Sequence, residues 1–283
     1  MPAISPARLK LQTAALASIF DQPEAFMVQL LNLLDHYADW TQRPGQSGVL
    51  NPLTPSNNVP LPVIRQIITA IQAKAEKDTE GTLRLVDILW AQPTLECRII
   101  AALLLGKIKE KPSLVIIDRI NTWLSNTSDD AMVRIVLQSG LAQVRQNEPQ
   151  AVLKLAQQWL GSKQVNSQKY GLIALDTLAS DPSFDNLPVI FLMITPFFRK
   201  IPVELRAILV DFINSLARRS PQETTYLLQE NLLANDNPDT AWLIRHLLTA
   251  STKETEVQYK TELPEDLKQN LRQALRNKNS SSN

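Results

Sequence analysis

Cys97-Arg98-Ile99-Ile100-Ala101, Val133-Arg134-Ile135-Val136, Gln168-Lys169-Tyr170-Gly171-Leu172 and Leu205-Arg206-Ala207-Ile208 carry one pattern, a cation opening an apolar run. The four cations are about 35–37 residues apart, a period that marks stacked two-helix repeats. A second series precedes them: Leu85-Val86-Asp87-Ile88-Leu89-Trp90, Ile117-Asp118-Arg119-Ile120-Asn121-Thr122-Trp123-Leu124, Leu153-Lys154-Leu155-Ala156-Gln157-Gln158-Trp159-Leu160, and a weaker copy ending at Phe197-Phe198. Apolar residues within these segments recur at helical spacing, as in Leu209, Phe212, Ile213 and Leu216, and no strand-like alternation persists. Pro93, Pro112, Pro149, Pro182, Pro202, Pro221 and Pro238 fall between the apolar segments. Proline, lacking an N–H, belongs in a connecting loop or the first helical turn.

The expected fold is therefore all-α. A single helical pair cannot bury its apolar face alone, so pairs stack. The apolar–Arg–x–x–apolar signature of the second helices resembles HEAT repeats and lacks the tetratricopeptide and ankyrin patterns. The expectation is a right-handed α-solenoid of five or so HEAT-like pairs without a sheet. One such array should span residues 1–252, with N-terminal helices over 5–40, a Gly-, Pro- and Asn-rich loop over 41–60 and repeats over 61–252. Ser5 and Asp21 are positioned to cap the first two helices, Asp21 with Glu24 resembling a capping box. Residues 253–283 should form a polar segment, a charged helix from Pro264 to Asn277 and a disordered tail.

Composition agrees with a folded, globular chain. Of 283 residues, 44% are hydrophobic and 20% charged, and 29 Lys+Arg against 28 Asp+Glu leave a formal charge of +1. That excludes a polybasic or polyacidic protein but not a local basic groove. Seven glycines are too few for a hairpin-rich barrel or sandwich. Cys97 is the single cysteine, so internal disulfides, Cys-based zinc sites and iron–sulfur clusters are excluded; it reads as a buried structural thiol. The N-terminus has no signal-like apolar core and no apolar run approaches a membrane span, so a cytoplasmic location is expected. His36 and His246 are the only histidines, and Gly45 and Gly48 lack the context of a phosphate loop. No catalytic residue, metal ligand or cofactor site is expected from these motifs.

Val59-Pro60-Leu61-Pro62-Val63-Ile64-Arg65, Leu85 to Ala91 and Glu96-Cys97-Arg98-Ile99-Ile100-Ala101-Ala102-Leu103 together resemble the opening repeats of the bacterial DNA alkylation repair family, the HEAT-like-repeat DNA glycosylases. The resemblance extends over about residues 5–250. It implies duplex DNA held against a concave basic face, cations gripping phosphates, aromatics against deoxyribose and a carboxylate stabilising the developing sugar cation. The family's aromatic-then-Asp spacing falls on Trp123 and Thr127, so the carboxylate is replaced by a hydroxyl. Its Trp-Ala-Leu-Arg motif falls on Ser215-Leu216-Ala217-Arg218, and its mid-array Arg on Lys169. The implied protein is a DNA-binding relative whose alkylpurine excision is weak or lost.

Two readings stay open for the repeated residues. Trp90, Trp123 and Trp159 are an aromatic row facing DNA or, as periodic recurrence favours, packing between repeats. Arg98, Arg134, Lys169 and Arg206 are a phosphate-binding stripe or a structural ladder. The candidate DNA contacts are these four with Arg218, Arg219, Arg245 and Trp123; Arg218 with Arg219 is the preferred phosphate pair. Lys107, Lys109 and Arg145 add to the basic balance of the second helices. The alternative function is a non-enzymatic HEAT-repeat scaffold holding a protein or peptide in its concave groove. Neither reading involves a membrane or a metal.

Overall fold

The computed structural model describes residues 4–39, 54–109, 113–234, 239–250 and 263–281, and every regular element among them is helical. The N-terminal unit, Met1–Glu148, contains α1 (Pro6–Ser18), α2 (Pro23–His36), α3 (Leu61–Ala75), α4 (Thr79–Trp90), α5 (Leu95–Leu105), α6 (Leu114–Ser125), α7 (Asp130–Ile135) and α8 (Ala142–Asn147). A π-helical turn, Val136–Gly140, joins α7 to α8. The C-terminal unit, Pro149–Asn283, contains α9 (Pro149–Leu160), α10 (Val165–Ala179), α11 (Leu187–Ile194), α12 (Arg206–Arg219), α13 (Pro221–Leu233), α14 (Thr240–Ala250) and α15 (Glu265–Ser281). Two short 3₁₀ turns, Thr195–Phe198 and Val203–Leu205, lie between α11 and α12.

Prolines open α1, α2, α3, α9, α11 and α13, where the missing N–H costs nothing. Pro23 at the first helical position makes Gln22 the cap residue of α2. Asp21 is therefore not the cap that the sequence suggested; its carboxylate instead lies 3.6 Å from Lys74 Nζ on α3. Ser5 occupies the α1 cap position without a side-chain bond to the helix. Asp78 and Asp129 do cap: each accepts a backbone N–H at 2.9 Å, from Gly81 and Ala131 respectively. Of the long loop expected over 41–60, positions 41–53 lie outside the described residues. So do 251–262 of the polar segment and the last two residues of the tail; the α15 backbone is helical to Ser281.

Within the N-terminal unit, α1, α3, α5 and the π-turn pack side by side, and α2, α4 and α6 lie along them. Leu85, Leu89, Ile100, Leu104, Ile120 and Val136 are fully buried there. Within the C-terminal unit, α10 packs on α9 and α12, α12 on α13 and α14, and α15 on α13. Leu175, Ile190, Phe198, Phe212, Leu228 and Leu243 are fully buried, while Leu263, Leu267 and Leu271 dock the C-terminal helix.

Several long-range polar contacts span 32–35 residues. Arg119 grips Asp87 bidentately at 3.0 and 2.9 Å across 32 residues. Lys109 donates to Glu76 across 33 residues, Ser113 to Glu148 across 35, and Arg219 to Phe184 O across 35. Residues about 32–35 positions apart are thus neighbours in space within each unit. The Lys109 hydrogen bond, seconded by Gln72, holds the Glu76 carboxyl below the usual carboxylate range; as an exposed pair it contributes little to stability.

Candidate nucleic-acid interface

Trp123, at the end of α6, is 4% exposed. Its indole stacks on Trp90 of α4 with centroids 4.2 Å apart and planes within 5°. Trp159 makes an edge-to-face contact with Tyr170, 6.0 Å between centroids. Recurrence at one repeat position thus reflects packing between neighbouring helices. The Trp123 ring is covered by protein.

The cations that open the second helices divide into groups. The Arg98 guanidinium lies over the Trp90 ring, 5.4 Å from its centroid, and its Nε donates to Gln92 O at 3.2 Å. Arg206 lies 4.6 Å from the Trp242 centroid and 3.9 Å from the Asp239 carboxylate. Asp239 also accepts the Ile201 N–H at 2.6 Å, tying the α11–α12 connection to the start of α14. Trp242 stands one period after Arg206 and occupies the same repeat position. His246, one turn further along α14, stacks on it at 4.4 Å. Arg98 and Arg206 are thus each seated on an indole, where a partly exposed cation–π contact contributes about 0.5–1 kcal/mol. Arg134 and Lys169 sit half-buried on α7 and α10.

The preferred phosphate pair separates. Arg219 donates through one nitrogen to Pro182 O at 3.0 Å and Phe184 O at 3.2 Å, clamping the segment that leads to α11. Arg218 is exposed and donates to the Ser215 hydroxyl at 3.0 Å. Arg245 is exposed on α14, which packs on α12. Arg219→Ala should accordingly lower stability by about 2 kcal/mol, since bonds from a charged donor are among the stronger ones, and a denaturation midpoint measures it. Arg218→Ala should leave that midpoint unchanged.

The position matched to the family's carboxylate is equally specific. Thr127 Oγ1 donates to Trp123 O at 2.7 Å, closing the last turn of α6. Asp129, two residues on, is 8% exposed; one oxygen accepts from Ala131 N and Met132 N as the α7 cap, and the other has no hydrogen-bond partner. Asp130 is exposed on the first turn of α7.

Sequence reasoning missed Glu96, which is 2% exposed. Its Oε1 accepts from Ser56 Oγ at 2.8 Å and from Val59 N at 3.3 Å. Asn58, the one non-glycine residue at positive φ (53°) among the described residues, sits in this strap. Nothing in a lone Glu at a helix start announces such burial. Burial pushes the Cys97 thiol up, so it remains protonated and inert at neutral pH. Among the described residues, no group of three or more His, Cys, Asp or Glu could hold a metal ion, and no helix is long and apolar enough to cross a membrane.

A family model described as DNA alkylation repair enzyme matches residues 30–195, more than half of the chain. No curated protein and no solved structure matches it.

Proposed function

The chain belongs to the DNA alkylation repair enzyme family, and from that premise we propose that it binds duplex DNA without appreciable alkylpurine excision. The observation that carries the second half is at Thr127: the hydroxyl where the family's carboxylate is expected is already donated to Trp123 O. A neutral group so engaged offers no anion to a developing sugar cation, and electrostatic stabilisation is usually the largest catalytic contribution. Asp129 does not substitute, because its carboxylate is buried and serves the α7 N-terminus.

The helical pairs are read as HEAT-like repeats of a right-handed α-solenoid over residues 1–252, followed by a polar C-terminal segment; contacts one period apart within each unit support the repeats. For phosphate binding, exposed Arg218 and Arg245 replace the pair Arg218 and Arg219, with Arg134 and Lys169 as further candidates on the second helices. Arg98 and Arg206 have aromatic seats and Trp123 is buried, so these three support the fold.

Affinity for a ~20-base-pair duplex should fall steeply between roughly 50 and 200 mM salt as condensed counterions are released. Each phosphate contact adds about 0.9 to the log–log slope, so Arg218→Ala with Arg245→Ala should flatten it by about 1.8. Binding indifferent to salt, or a slope unmoved by the double variant, would remove this interface.

A further inference from the structure

All eight residues of α11, Leu187-Pro188-Val189-Ile190-Phe191-Leu192-Met193-Ile194, are apolar. A helix apolar on every side is normally enclosed. Here Ile190 and Ile194, with Phe197 and Phe198 of the following turn, enter the core of the C-terminal unit. Val189, Leu192, Met193 and Pro196 form a second stripe at i, i+3, i+4 and i+7 that faces outward, with Leu192 74% exposed. The stripe is one wall of a groove of about 630 Å³ whose other wall is Leu160 and Gly161 at the end of α9. Gln157 and Gln168 supply amides at its rim, and among the described residues Lys200 is the one charged side chain that lines it. Val203, next in sequence to the lining residue Pro202, is 71% exposed.

We propose that this groove docks an amphipathic helix of a partner protein, one that presents an apolar i, i+3, i+4, i+7 face and an acidic residue to Lys200. An open apolar trough with a polar rim is the receptor side of helix-in-groove recognition. Met193 adds an adaptable, polarisable contact of the kind such surfaces use. Charge complementarity decides among occupants. A two-fold pairing of α11 with a second copy brings like to like, and α11 itself carries no acidic residue to answer Lys200. A lipid surface calls for a cluster of cations on a face that can lie flat, whereas this site is concave with one lysine. A small amphiphile would be largely enclosed by its pocket, and this groove is open along its length. Neither Arg218 nor Arg245 lines the groove, so it adds a protein partner to the DNA interface.

The probe is a displayed library of 14-residue helices, randomised at one i, i+3, i+4, i+7 stripe and at the flanking positions, selected on the full-length protein. Selection should enrich apolar stripes flanked by Asp or Glu. Leu192→Asp, a change at an exposed position that leaves folding intact, should weaken the enriched peptides at least about tenfold (~1.4 kcal/mol). Lys200→Glu should shift the enriched flank from acidic to basic, with duplex-DNA affinity unchanged in both variants. No enrichment, or peptides indifferent to both substitutions, overturns the proposal. It is also overturned if Leu192→Asp abolishes a concentration-dependent dimer, or if laurate or anionic phosphatidylserine vesicles bind through Leu192 while the peptides do not.

Discussion

Replacing Trp123 by alanine is expected to lower stability by about 3–5 kcal/mol, the usual cost of emptying a large aromatic site. The indole is almost wholly buried and lies flat against Trp90. Its removal opens a cavity between α4 and α6, and Trp90 loses its stacking partner. Arg119 and Asp87 bridge the same two helices but cannot fill that space. Trp123→Phe should recover part of the loss by keeping a ring in contact. Urea denaturation of the three proteins measures the effect. A Trp123 that instead served DNA would show the opposite pattern, with unchanged stability and weakened binding.

Gly106→Ala should cost about 3 kcal/mol, the upper part of the range for added volume in a packed site. Gly106 has φ −72°, an ordinary backbone conformation. On entropy alone, alanine there would stabilise the fold slightly. The obstacle is steric: a Cβ at Gly106 would stand 1.8 Å from the Ser139 carbonyl oxygen and 2.9 Å from its carbon. Ser139 belongs to the π-turn, and a backbone carbonyl cannot rotate away as a side chain can. The sign of the effect is therefore diagnostic. A neutral or stabilising Gly106→Ala would mean that the π-turn yields freely at Ser139.

The all-helical class was legible because apolar residues recur at helical spacing throughout. The cation column Arg98, Arg134, Lys169 and Arg206 was legible too, and bridges such as Arg119–Asp87 and Lys109–Glu76 join helices at a similar separation of 32 and 33 residues. Helix starts were legible where proline marks them, and misplaced at Asp21, where Pro23 moves the cap by one residue. Side-chain tasks were less visible. Arg218 and Arg219 are adjacent and identical in type, yet about 100° of helical rotation sends one to solvent and the other to two carbonyls of the preceding connection. Nothing local distinguishes them, because the carbonyls at Pro182 and Phe184 lie more than thirty residues away. Trp242 could have been read as the next member of the cation column, since an indole there receives Arg206. The outward stripe of α11 lies within an unbroken apolar run, where periodicity alone does not separate it from the buried Ile190 and Ile194.

Single-turnover incubation of 7-methylguanine-containing duplex with excess protein tests the central claim most directly, with bound DNA and released base quantified in the same samples. The account predicts that the duplex is bound while base is released no faster than in protein-free controls. Release well above that spontaneous rate, or failure to bind the duplex at low salt, would contradict it.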